Sequence, residues 1–226
     1  MRLRARPQGA AAAFADEGRP KGRTPWREAC WCALDLELTG LDRRNDDIIA
    51  IGAVPIEDGR LILGDSRYTL VRTSRRSEYN AVLMHKLRVP DLAGAPPLES
   101  ALELVLALLT GRVPVFHTAA VEQTFLGPLF AREHVRLPAA ADTELLGRLL
   151  LRCRDGEAPP RLPLARLTEL LGQSGEAPHH ALADALTTAQ AFIALATLLE
   201  EFEPQTVDSL TGAAERLGGG RRFGPL

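Results

Sequence analysis

Cysteine is scarce in this chain, with only Cys30, Cys32 and Cys153 among 226 residues. Three thiols cannot build the disulfide framework of a small secreted domain, so a reducing, cytoplasmic compartment is expected. Cys30 and Cys32 flank Trp31, but no second Cys or His pair at zinc-ligand spacing follows. Buried thiols in a strand are the simpler reading. No unbroken apolar run approaches the roughly 20 residues of a membrane span, so no membrane partner is expected. A strong charge surplus is missing too: the net charge of −2 does not announce a nucleic-acid partner. Internal repeats are also absent.

The charge that is present is uneven. Residues 1–30 hold seven basic and three acidic residues, which leaves 20 basic against 26 acidic in the remainder. An acidic surplus in the folded part is compatible with a metal-binding carboxylate cluster. With 46% hydrophobic and 25% charged residues, the chain fits one globular domain with tails. Residues 1–28, rich in Arg, Ala, Gly and Pro, read as a flexible arm; residues 29–203 read as the domain. Residues 204–226 read as a C-terminal segment ending in a flexible basic tail, "GGGRRFGPL".

Strands come first and helices later. "CWCALDLEL" reads as a strand stopped at Thr39-Gly40, and "DIIAIGAVPIEDGRLILGDSRYTLV" as further strands with a hairpin turn at "EDGR". "LESALELVLALLTG" has helical spacing with Gly111 as its stop, and "RVPVFH" is a short strand. The next helix is expected to open with Thr118 as N-cap and to kink or split at Pro128. "HALADALTTAQAFIALATLLEEF" is the longest helical pattern. The class is mixed α/β.

Two carboxylates interrupt the first strand. Residues i and i+2 share a face, so Asp35 and Glu37 project together, opposite Leu34, Leu36 and Leu38. Like charges aimed at one spot repel, and a divalent cation reverses that logic; oxygen ligands of this kind suit Mg²⁺ or Mn²⁺. Two further acids stand in suggestive places. Glu122 lies one turn past Thr118 at a helix start, and Asp184 lies in the first turns of the longest helix. His179 precedes that helix and is free to swing, as suits a general base; His180 competes with it from position i−4 relative to Asp184.

In order and context, "LDLELTGLD", "VFHTAAVEQTFL" and "HHALADALTTA" resemble the three motifs of the DEDDh 3′–5′ exonuclease superfamily. The likeness runs from about residue 30 to about 200, includes "DTELLGR", and is strongest to the proofreading epsilon subunit of bacterial DNA polymerase III and its stand-alone relatives. It implies a ribonuclease H-like fold, a mixed central sheet flanked by helices. It also implies two Mg²⁺ or Mn²⁺ ions on Asp35, Glu37, Glu122 and Asp184, with His179 rather than His180 as general base. Substrate contacts are implied for Leu38, Thr39, Gly40 and Thr118, and His85 stands where relatives have a wall or phosphate contact. Arg72, Arg75 and Arg76 form a basic cluster suited to upstream phosphates.

The implied activity is release of nucleoside 5′-monophosphates from 3′ ends of single-stranded DNA. RNA trimming and a catalytically weakened nucleic-acid-binding module are the alternatives. Two departures bear on these: the second motif normally has Asp where Glu122 stands and Asn where Thr118 stands. Leu38 likewise replaces a usual Thr. Association with a polymerase does not follow from the likeness.

Overall fold

The computed structural model describes residues 6–173 and 179–218. Its first element departs from the flexible arm expected over residues 1–28. The alanine run "GAAAAFADE" forms α1 (Gly9–Glu17), which buries Ala11 and Phe14; the Phe14 ring meets Phe130 edge-on at 5.5 Å. Trp26 is fully buried, donates from Nε1 to Glu200 at 2.7 Å, and carries the Arg27 guanidinium over its ring at 4.3 Å. Alanine has the highest helix propensity, and one aromatic anchor per segment supplies enough buried apolar surface to fix the chain.

β1 (Trp31–Leu38) shows why the alternation matters. Cys32, Leu34, Leu36 and Leu38 pack into one apolar layer, and Trp31 and Ala33 into the other, so Asp35 and Glu37 continue the second face. β2 (Ile48–Glu57) runs antiparallel to β1. Asp58 and Gly59, both at positive φ, turn the chain into β3 (Arg60–Leu61), the hairpin expected at "EDGR". β4 (Arg67–Leu70) pairs with the other half of the same β2 edge. After α2 (Tyr79–His85), α3 (Val89–Leu92) and α4 (Leu98–Leu109), β5 (Val113–Phe116) joins parallel to β1.

α5 (Ala120–Arg132) leads to β6 (Ala141–Asp142), parallel to β5, and then come α6 (Thr143–Asp155) and α7 (Leu164–Leu170). α8 (Ala181–Leu199), α9 (Val207–Thr211) and α10 (Ala213–Gly218) follow. The strand order is β3-β2-β1-β5-β6 with β4 beside β2: a mixed sheet with helices on both faces, as expected. α1, α4 and α5 cover one face, and α6 and α8 the other. α5 is not split at Pro128; that residue removes one hydrogen bond, while Phe125, Leu126, Leu129 and Phe130 stay buried on both sides of it.

α8 is long and apolar enough to cross a membrane by length and composition alone, contrary to the absence of such a run expected from the sequence. Here it is a core helix: its alanines and Phe192 pack on β1 and β2, with Phe192 4.6 Å from Trp31. The C-terminal segment after it folds as α9 beside β6 and α10 against α6, with Val207, Leu210 and Ala213 buried. The tail beyond Gly218 lies outside the described residues.

Candidate metal and nuclease site

The floor of the site is the C-terminal half of β1. Asp35, Glu37 and Asp184 each bring a carboxylate oxygen to within 4.8 Å of the others. Close packing of α8 makes this possible. Gly52 stands opposite Asp35 in the β1–β2 register, and a Cβ there would lie 2.1 Å from the carbonyl oxygen of Ala181. Only glycine lets the first turn of α8 sit on the sheet, which carries Asp184 to the pair on β1. Nothing in the local pattern of β2 marks this role; an isolated glycine in a strand is the only signal.

Glu122 is 4% exposed on the first turn of α5, and its Oε2 has no hydrogen-bond partner among the described residues. It stands outside the group of three yet close enough to act on it. After burial itself, the Glu122 charge is the largest influence raising the Asp35 carboxyl well above the usual range, followed by Asp184 and Glu37. Burial pushes Glu37 up to about 7, with Asp184 adding to it. Burial pushes Glu122 up to about 8, with Asp142 adding to it. Asp184 is raised by burial, and this is opposed by the backbone N–H and the charge of His179.

No Lys or Arg pairs with any of the four acids among the described residues. Glu37 Oε1, like Glu122 Oε2, is buried without a partner among the described residues. Four crowded carboxylates with orphaned oxygens and no protein cation form a hard-oxygen donor set that fits divalent ions.

His179 is exposed, sits at positive φ, and donates its backbone N–H to Asp184 Oδ2 at 2.8 Å. Its side chain is therefore hinged at the rim rather than packed. His180 is the N-cap residue of α8, and its ring stacks on Tyr68 at 4.6 Å. Burial and then Glu37 raise the Tyr68 hydroxyl, which puts that ring beside the acids. Tyr68 pairs with Gly52 in register, a neighbour of the site that no sequence motif indicated.

His85 is 7% exposed. Its Nδ1 accepts from Leu87 N–H at 3.0 Å, which assigns the ring proton to Nε2, and Nε2 has no partner among the described residues. Burial, then the His179 charge, lower its pKa, so the two imidazoles are neighbours.

Thr118 is not an N-cap. Ala119 precedes α5, and Thr118 stands at φ 62, the left-handed region that suits Asn better than a β-branched residue. Its Oγ1 donates to Glu144 Oε2 at 2.8 Å, and Asp142 accepts from the N–H groups of Thr118, Ala119, Glu144 and Leu145. Asp142 in "DTELLGR" thus ties the start of α5, and with it Glu122, to the start of α6.

Thr39, expected as a substrate contact, has its side chain and backbone engaged within the protein. It is fully buried: Oγ1 donates to Asp46, its N–H goes to Asp47 O, and its carbonyl accepts from Glu78. The close approach at Gly40 is to Asp46, 2.6 Å from where a Cβ would stand. Leu38 is buried at the end of β1. The expected Arg72–Arg75–Arg76 cluster is dispersed. Arg75 pairs with Asp47 at 3.1 Å, Arg76 lines a groove beside α2 and α3, and Arg72 lines a different cleft.

With the geometry in view, comparison with known proteins is direct. The exonuclease family profile RNase T matches residues 32–192. A PolC-type DNA polymerase III of Thermotoga petrophila is 30% identical over 179 residues, covering 78% of this chain and 12% of its own length. A DNA polymerase III subunit epsilon-like protein of Rhodobacter capsulatus is 30% identical over 180 residues, covering 78% of this chain and 25% of its own length. The chain thus spans a quarter or less of these relatives. The solved structure of exonuclease X in complex with 5′-overhanging duplex DNA superposes with a TM-score of 0.63 at 19% identity, over 81% of this chain and 98% of that one.

Proposed function

Because the chain belongs to the RNase T exonuclease family of the DEDDh superfamily, we propose that it hydrolyses phosphodiester bonds at 3′ ends of single-stranded DNA, using two Mg²⁺ or Mn²⁺ ions. The observation that carries this reading is the group of Asp35, Glu37 and Asp184 within 4.8 Å, with Glu122 acting on Asp35 and no cation paired to any of them among the described residues. Asp35, Glu37 and Asp184 would hold the ions, and Glu122 would do so directly or through water. Bound ions supply positive charge to the scissile phosphate and lower the pKa of attacking water.

The remaining work belongs to side chains. An imidazole nitrogen of His179 takes a proton from the water that attacks phosphorus in line. The 3′-oxygen of the penultimate nucleotide leaves, and a nucleoside 5′-monophosphate is released. His85 offers its Nε2–H, which the Leu38 backbone carbonyl also approaches, to the terminal nucleotide, and Leu38 forms the apolar wall beside it.

The test is a digestion ladder on end-labelled DNA and RNA strands with Mg²⁺, Mn²⁺ or EDTA, beside an Asp35→Ala control. Stepwise shortening from the 3′ end that needs metal, and falls at least about 100-fold in the variant, is expected. Faster shortening of RNA would move the substrate to RNA. Strand binding without metal-dependent cleavage would replace the enzyme by a binding module.

A further inference from the structure

On the face of the sheet away from α8, a cleft of about 420 Å³ opens between α5, the loop after β1 and the chain after β4. Arg43, Arg44, Arg72 and Arg132 line it, all exposed. None of the four guanidinium groups forms an ion pair among the described residues. The two acids of the lining are engaged elsewhere: Asp46 accepts from Thr39 Oγ1 and Asp42 N–H, and Asp47 pairs with Arg75 and Thr73. The cleft therefore presents net positive charge, four arginines against two acids, in a chain of net charge −2.

The cleft lies on the opposite face of the sheet from Asp35 and Glu37 and is linked to the acidic site through α5, whose first turn carries Glu122, the charge that acts on Asp35. Phe125 and Leu129 on its wall lie three and seven residues after Glu122 on α5, along the same helix face. Ile48 on its floor pairs with Leu38 at the end of β1, and both share the face opposite Glu37. Arg132 stands ten residues beyond Glu122, about 15 Å along the helix axis. That distance spans about four stacked nucleotides at 3.4 Å each.

We propose that this arginine cleft binds the sugar-phosphate backbone of the same nucleic-acid strand, upstream of its cleaved end. The inference rests on the nuclease reading, and charge complementarity selects the occupant: a regular polyanion matches four guanidinium groups, unpaired among the described residues, that line a cleft walled by the helix carrying Glu122. The terminal nucleotide faces repelling carboxylates when metal is absent, so in EDTA the cleft is the main source of strand affinity.

The experiment is fluorescence anisotropy in EDTA with 5′-labelled DNA strands of 3 and 12 nucleotides. It compares the wild type, an Arg43→Ala/Arg132→Ala double variant, and Arg154→Ala, which removes charge at the far end of α6. The wild type is expected to prefer the longer strand. The double variant should lose about 10-fold of that preference, and its log-log salt slope should fall by about 1.4, two contacts at about 0.7 each. Arg154→Ala should keep both. An unchanged preference and slope in the double variant overturn the proposal, as does a poly-glutamate peptide of equal charge that competes as well as DNA. Loss of cleavage with the cleft-dependent preference intact would sink the nuclease reading alone.

Discussion

Glu122 is the acid whose environment can be tested without any assumption about turnover. It is 4% exposed, and its carboxyl is pushed from 4.5 up to about 8. A carboxyl raised in the folded state binds a proton that the unfolded chain has released, so its contribution to stability is intact below pH 4.5. It is lost as pH rises, and levels off above about 8. At about 1.36 kcal/mol per pH unit, the apo protein loses roughly 2 kcal/mol by pH 6 and roughly 4 kcal/mol by pH 8 through this one side chain. Glu122→Gln keeps shape and removes the titration. In EDTA the variant and wild type should melt together near pH 4.5 and separate as pH rises. For a chain of this size the variant should melt roughly 10 °C higher at pH 8. Calorimetry or circular dichroism between pH 4.5 and 8.5 reads the difference; titrations that do not feel Glu122 cancel, while Asp35, relieved of the Glu122 charge, adds to the gain in the same direction. A melting difference that stays flat across that range would refute the placing of a buried, unpaired carboxylate at residue 122.

Three further outcomes follow from the same geometry. Saturating Mg²⁺ or Mn²⁺ should raise the melting temperature of the wild type, by about 2.7 kcal/mol equivalent at a hundredfold excess over Kd. The gain should grow from pH 6 to pH 8, because ligands that hold protons at Glu37 and Glu122 must release them. Gly52→Ala should force the start of α8 off the sheet, costing about 1–3 kcal/mol in chemical denaturation and about 100-fold in activity, since Asp184 moves with it. Asp142→Ala strips the acceptor from four N–H groups and should cost about 2–4 kcal/mol, read as a lower urea midpoint with unchanged slope.

The sequence by itself determined what depends on local periodicity and short spacing. Asp35 and Glu37 share a face because strand side chains alternate. The hairpin at Asp58-Gly59 follows from residues that accept positive φ, and α8 with Asp184 in its first turn follows from helical spacing. The three ordered motifs carried the family and the mixed α/β class. Tertiary structure alone decided what depends on which segments meet. Gly52 matters only because strand register sets it under Ala181, and Thr118 turns from cap to strut because Glu144 of α6 stands within reach. Arg75 leaves its expected cluster because Asp47 is nearer, while Arg43 and Arg132, far apart along the chain, come to line one cleft. α1 packs because Phe130 offers an aromatic edge that no reading of residues 1–28 contains. Local backbone preferences are written in neighbouring residues, whereas register, helix docking and pairing between distant charges are settled by packing the whole chain at once.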